Sequence, residues 1–223
     1  MTDRALEGMK VLDLTHHLSG PYCTKLLADF GADVLKVEKP AGDHTRRAGP
    51  FLEDDIDPEK SLVFAYLNTN KQSITLNLKS DKGISILTSL IEESDVLVEN
   101  FAPRVMPSLG LDFETLQQIN PRLILTSISN FGQTGPYRDY KAADIIEYAM
   151  GGLMYISGAY DREPLKHAFN QAQFKAGTDG ASATLMAMYH QRLTGEGQHV
   201  DVSIQEAVAT GLRDVVNLSL IHI

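Results

Sequence analysis

Cysteine is nearly absent from this chain of 223 residues: Cys23 stands alone. No disulfide can close within the chain, a usage that suits a reducing compartment. Positive charge is also short, with 20 Lys and Arg against 29 Asp and Glu for a net charge of −9. A nucleic-acid surface needs clustered cations, so no nucleic-acid partner is expected. A small polyanionic ligand needs only a few local ones and stays open. Long apolar runs are missing too: none approaches the ~20 residues of a bilayer span. The opening residues 1–8 are charged, without the apolar core of a secretory signal. The expectation is a cytoplasmic protein with no membrane partner. No Gly-x-Gly-x-x-Gly follows the first apolar run, no Walker loop occurs, and no His/Cys cluster has metal spacing. Dinucleotide chemistry lacks its usual signature, and no metal is expected.

What remains is ordinary globular material, 43% hydrophobic and 22% charged, enough for one core or one core plus a small appendage. Short aliphatic runs alternate with helical patterns, which predicts an α/β fold: an open, mostly parallel, Rossmann-like sheet flanked by helices. Strands are expected at Lys10–Leu14, Ala32–Val37, Ser73–Leu78, Asp95–Val98, Leu123–Ile128 and His199–Val202. Helices are expected at Gly20–Phe30, at Asp81–Glu93 with Asp81 as cap, and near Val105. Others are expected at Asp112–Gln118, Ala142–Ile156 and Ala176–Gln191, and from Ser203 onward. Glu38–Lys60, rich in Pro, Gly and Asp, reads as the longest loop. The sequence stops inside an apolar pattern at Ile223, so continuation, or burial of that end against a partner, is expected.

In an open parallel sheet, ligands sit beyond the carboxyl ends of the strands, where helix N-termini offer free N–H groups. At the first such end stands Thr15-His16-His17-Leu18-Ser19-Gly20-Pro21, a Gly-Pro start suited to close backbone approach. The second strand ends in Lys36-Val37-Glu38-Lys39-Pro40, with two cations. Asn68-Thr69-Asn70-Lys71-Gln72-Ser73 leads into the third, and Glu99-Asn100-Phe101-Ala102-Pro103-Arg104 follows the fourth. Such residues suit phosphate oxygens, with Phe101 as a flat apolar contact. Read singly, each is equally a solvated surface group.

The ordered set of blocks closely resembles the class III CoA-transferase superfamily, which includes formyl-CoA transferase, carnitine CoA-transferase and α-methylacyl-CoA racemase. It begins with Gly8 to Leu14, Ser19-Gly20-Pro21 and Leu27 to Glu38. Asn70 to Ile74, Asp95 to Pro103, Leu109-Gly110-Leu111 and Asn120 to Ile124 follow, then Phe131 to Pro136 and Thr194 to Val202. The resemblance implies a CoA-binding large domain over residues 1–203 and a helix over 204–223 leading toward a small domain largely missing here. It implies an interlocked homodimer, or a hetero-oligomer with a related chain. Coenzyme A or acyl-CoA and a carboxylic acid would be the substrates. Residue by residue, it places coenzyme contacts on His16, His17, Leu18 and Ser19, on Lys39, on Asn70, Lys71 and Gln72, on Asn100, Phe101 and Arg104, and on Lys141 near the adenine end. Several of these depart from the family pattern: Lys39 stands where relatives often have Arg, Gln72 replaces a cation, and Arg104 is displaced by two positions.

The largest departure concerns catalysis. Members use an aspartate carboxylate that attacks the donor thioester to give a mixed anhydride and then an aspartyl thioester. Counted back from Thr194-Gly195, with Gly177 on the family glycine, that position falls on Gln173, whose amide cannot form the anhydride. The racemase branch uses His beside Asp where this chain has Ala143 beside Asp144, which disfavours racemase activity. Three readings follow: a transferase whose carboxylate comes from elsewhere, a subunit whose partner supplies it, or a non-catalytic CoA-binding protein.

Overall fold

The computed structural model describes residues 4–212. Six strands, β1 (Lys10–Asp13), β2 (Asp33–Glu38), β3 (Lys71–Thr75), β4 (Val96–Glu99), β5 (Ile124–Ser129) and β6 (His199–Ser203), form one sheet in the order β3-β2-β1-β4-β5-β6. Every pairing is parallel, so all the carboxyl ends share one edge. The chain leaves β1 toward β2 on one side and returns at β4 on the other, making the β1/β4 junction the topological switch point.

Two apolar layers sandwich the sheet, and alternation along each strand assigns side chains between them. Val11, Val96, Val98, Ile124 and Ile128 enter one layer, while Leu12, Leu97, Leu123 and Leu125 enter the other, the period-two geometry of a sheet covered on both faces. The first layer is closed by α1 (Ser19–Asp29), α6 (Asp144–Met150), α7 (Gln171–Thr194) and α8 (Ile204–Thr210). The second is closed by α3 (Asp81–Glu92), α4 (Val105–Ser108) and α5 (Phe113–Ile119). A further short helix, α2 (Leu62–Leu67), is capped by Ser61.

Several elements differ from the sequence expectations. The third strand begins at Lys71, because its pairing with β2 runs from Val34↔Lys71 to Glu38↔Thr75. Ser80, not Asp81, caps α3, accepting from Gly83 N at 3.1 Å. Helix α6 is half the expected span; Gly152, at φ +88, follows its end. Helix α7 is longer than expected, 24 residues, and stops where Gly195 adopts φ +81. The expected loop after β2 contains two 3₁₀ turns, His44–Arg47 and Leu52–Asp54. The helix expected from Ser203 is α8; its continuation toward Ile223 lies outside the described residues.

Helix α7 carries small residues where it meets α1. A Cβ on Gly177 would stand 2.6 Å from Ser19 O, and one on Gly180 would stand 2.8 Å from Ile128 Cδ1. The absence of side chains lets α7 pass close enough to hold the amino end of α1 in place.

Candidate functional site

The site begins with a charge inside an apolar strand. Asp13 is fully buried at the carboxyl end of β1. Its Oδ1 accepts from Thr15 N at 2.8 Å, and its Oδ2 accepts from Thr24 Oγ1 at 2.7 Å and Lys71 Nζ at 3.0 Å. Burial alone would raise this carboxyl, but Lys71, Lys36 and the two hydroxyls outweigh it and hold it at about 2. Lys36 on β2, equally buried, donates to Thr15 O at 2.8 Å and pairs with Asp43 Oδ2 at 3.1 Å. This network fixes the turn after β1 and the loop after β2. Glu38 pins the same loop, accepting from Arg46 Nε and Nη2 at 2.8 Å each and from Asp43 N at 2.9 Å.

From that base the β1 turn projects His16 and His17. His16 N donates to Asn100 Oδ1 at 2.9 Å, and Asn100 Nδ2 donates back to His16 O at 2.7 Å. This reciprocal pair joins the two chain excursions at the switch point. The His16 ring lies 5.5 Å from that of Phe101 and 6.3 Å from that of His44. Burial lowers the pKa of both His16 and His17 against the pull of Asp43, favouring neutral imidazoles that can accept hydrogen bonds. Lys39 Nζ lies 3.0 Å from His44 Nε2; an ammonium only donates, so that imidazole nitrogen accepts.

Two cavities open at the carboxyl edge, and His16 and Phe101 line both. One, about 480 Å³, runs over the ends of β1, β2 and β3, with Lys39 and Lys79 at its polar side and Leu14, Leu76 and Leu109 at its apolar side. The other, about 990 Å³, runs over β5 to the amino end of α7 and is lined by His17, Ser19, Arg138, Lys141, Asp144 and Gln173 among others. Together they form a trough with an aromatic-imidazole waist, Lys39 and Lys79 lining one part and Arg138 and Lys141 the other. It suits a long ligand with a polyanionic head and an apolar arm.

The structure thus gathers His16, His17, Ser19, Asn100, Phe101, Arg104, Lys141, Asp144 and Gln173 around the second cavity, and Lys39 around the first. Leu18 is buried in the core instead. Asn70 and Gln72 stand at the opposite edge, beside Lys10 and Asp33 at the amino ends of β1 and β2, because the Asn-Lys-Gln block enters β3 rather than leaving a strand. Lys71 shares that block, but its side chain runs inward; its three donors are taken by Asp13, Pro21 O and Asn68 Oδ1. Lys36, read as a strand-end cation, is a structural ion pair. Arg104 reaches the rim already paired, with Asp139 accepting from Nε at 2.8 Å and Nη2 at 2.6 Å. Lys141 lines the second cavity and Lys39 the first.

At the far end, Asp144 Oδ1 accepts from Ala172 N at 3.0 Å and its Oδ2 from Lys166 Nζ at 2.7 Å, which ties α6 to the first turn of α7. Gln173 Nε2 donates to Glu147 Oε2 at 2.8 Å. Burial pushes the Glu147 carboxyl up to about 7, and Asp144 adds to the rise against the Gln173 hydrogen bond. Sequence reasoning missed Asp13, Lys79 and Glu147. Asp13 alone had a signal, an acid in an aliphatic strand. Among the described residues no helix is long and apolar enough to cross a membrane, and no three His, Cys, Asp or Glu side chains cluster to hold a metal.

Comparison with known proteins adds to this geometry. The sequence profile described as CoA-transferase family III matches residues 6–218. A formyl-CoA:oxalate CoA-transferase of Streptomyces coelicolor is 45% identical over 223 residues, covering 98% of this chain and 53% of that protein. A succinate–glutarate CoA-transferase of Agrobacterium fabrum is 41% identical, covering 89% and 50%. The crystal structure of a CAIB/BAIF family protein from Brucella suis superimposes with a TM-score of 0.92 at 37% identity, covering 99% of this chain and 58% of that one. The chain spans about half the length of the curated relatives it matches.

Proposed function

Because this chain belongs to CoA-transferase family III, we propose that its trough holds coenzyme A or an acyl-CoA for transfer of CoA between a thioester and a carboxylic acid. The observation that carries the reading is the pair of cavities joined at His16 and Phe101 on the switch-point edge. The phosphorylated nucleotide end lies by Lys39 and Lys79, the pantetheine arm crosses the His16–Phe101 waist, and the thioester points toward Asp144 and Gln173; this placement gives up the adenine-end role that the resemblance implies for Lys141, which lines the cavity of Asp144 and Gln173. In the family reaction a carboxylate attacks the thioester carbonyl, backbone N–H donors stabilise the oxyanion that forms, and its collapse breaks the C–S bond, releasing CoA as thiolate and leaving the mixed anhydride. One relative of similar sequence bears a name that pairs formyl-CoA with oxalate, and another a name that pairs succinate with glutarate.

A second reading is favoured by one residue. Gln173 occupies the position assigned to the nucleophile and makes no anhydride, so this chain serves either as one subunit of a hetero-oligomer whose sister chain brings the aspartate, or as a non-catalytic CoA holder. Association with a like or related chain is supported by Met186, Tyr189 and Leu193, large apolar side chains exposed along α7. Two measurements separate the readings. Calorimetry with CoA is expected to show binding; a folded chain that ignores millimolar CoA overturns both. Incubation with acyl-CoA donors followed by mass spectrometry of the chain alone is expected to show no acyl adduct at residue 173. An adduct on another carboxylate returns the active-transferase reading.

A further inference from the structure

The partner of Gln173 accounts for an amide at that position. Glu147, on α6, is fully buried, and among the described residues no cation pairs with it. Its Oε2 accepts from Gln173 Nε2 at 2.8 Å. With the Asn130 amide turned to satisfy both its neighbours, Asn130 nitrogen donates to Glu147 Oε1 at 3.0 Å and its oxygen accepts from Ala142 N at 3.1 Å. The charged groups nearby are Asp144, of the same sign, and Lys166, which is committed to Asp144. Tyr148 follows in sequence, its ring against that of His167. From α8 comes apolar contact, Val208 against Gly151. A carboxylate buried without a cation is costly unless hydrogen-bonded, and here two side-chain amides compensate it.

We propose that Glu147 determines the chemistry of position 173: it is a buried acceptor matched to an amide donor, and it draws any carboxylate placed opposite it into a shared-proton pair. The functional meaning rests on reading residue 173 as the nucleophile position; the pairing itself does not. An acid introduced by Gln173→Asp removes one donor from Glu147 and adds a second acceptor. The two carboxyls then stand within the ~4–6 Å over which like charges raise a pKa, and they share one proton. Attack on a thioester needs a free oxygen lone pair to form the new C–O bond while sulfur leaves with the C–S electron pair. Glu147, already raised to about 7, keeps that proton and donates it to the introduced carboxylate, whose lone pair is then engaged in the pair rather than free for attack. The chain is therefore two substitutions, not one, from a carboxylate at 173 that stands free of that pair: Gln173→Asp must be joined by Glu147→Gln, which restores an amide donor.

The test reads proton binding, so it does not depend on turnover. With ¹³C-labelled glutamate, carboxyl NMR is expected to show Glu147 titrating at least about one unit higher in Gln173→Asp than in the parent. Equal titration in both overturns the proposal. Should the single variant not fold while the double variant does, the mismatch itself is the cause and the proposal stands. Should neither fold, the unsubstituted chain decides. Its Gln173 side-chain amide protons are expected to shift as Glu147 titrates near 7, and resonances that stay flat between about pH 5 and 9 overturn it. Calorimetry with CoA on every folded variant runs alongside: binding lost in all of them, the parent included, sinks the CoA reading and leaves the pairing to be judged by the titrations.

Discussion

Lys39 and Lys71 sit in similarly polar stretches, Glu-Lys-Pro and Asn-Lys-Gln, yet the fold gives them opposite work. Lys71 ends in a side chain 1% exposed and bonded to Asp13, where burial pulls its ammonium down to about 8 against the attraction of that carboxylate. Lys39 faces a cavity. Lys71→Met is expected to cost about 3–5 kcal/mol in urea unfolding, since it strips a buried carboxylate of its cation. Lys39→Ala is expected to stay within about 0.5 kcal/mol of the parent while weakening CoA binding roughly tenfold in calorimetry at low salt. Glu99 supplies a pH-dependent counterpart. It is buried at the end of β4, and its Oε2 accepts from Phe101 N at 2.7 Å. Burial lifts its carboxyl from 4.5 to about 7 against the hydrogen bonds from Ser127 and Phe101 N. A folded pKa above the unfolded one means stability fully present below about 4.5 and lost as pH rises through 7. Burial lowers the pKa of His16, His17 and His199, which acts in the opposite sense, so the comparison is with Glu99→Gln. The variant's stability relative to the parent is expected to rise by about 3 kcal/mol between pH 4.5 and 8. A constant difference across that range would assign Glu99 an ordinary carboxyl.

Among the elements, the strands were the most legible in the sequence, because Val-Leu in β1 and Val-Leu-Val in β4 are short unbroken aliphatic runs, the mark of strands buried on both faces. The longest helix was legible from Ala176 to Gln191, without its first five and last three residues. At its start Gln173 faces a cavity and bonds Glu147, and a polar residue turned toward a site interrupts the apolar stripe that marks a packed helix. Helix α2 left no periodic signal in six residues. The Asn70-Lys71-Gln72 block, read as leading into a third strand that starts at Ser73, belongs partly to the strand itself, because the pairing with β2 begins at Lys71. The α1–α7 contact is where element packing reaches the site. Gly177→Ala puts a methyl 2.6 Å from Ser19 O, backbone that cannot rotate away, and Ser19 lines the larger cavity. The expected cost is about 1–3 kcal/mol, seen as a lower urea midpoint at unchanged slope, together with weaker CoA binding. A stability loss with affinity intact would show that α1 can move without disturbing the trough.

For the molecule as a whole, a parallel sheet puts every carboxyl end on one edge, and reversal of strand order at β1/β4 separates the two loops that leave there. Something must close that gap, and the reciprocal bond between His16 and Asn100 does so. The site is a property of this edge rather than of any one motif, which is why blocks separated by most of the chain had to be read together. The edge also sets a discriminating pair of substitutions. Asn100→Ala leaves the His16 amide and carbonyl without their partner, costing about 1–3 kcal/mol, and loosens the waist both cavities share. Asn70→Ala removes a similar side-chain amide, bonded to Asp29 at 2.8 Å, from the opposite edge. A saturating ligand stabilises its folded host by about 2.7 kcal/mol at a hundredfold excess over Kd. CoA-induced thermal stabilisation is therefore expected to shrink in Asn100→Ala and to match the parent in Asn70→Ala. Should Asn70→Ala lose the larger share, the ligand binds at the amino ends of the strands, and the trough beyond β1 and β4 serves some other molecule.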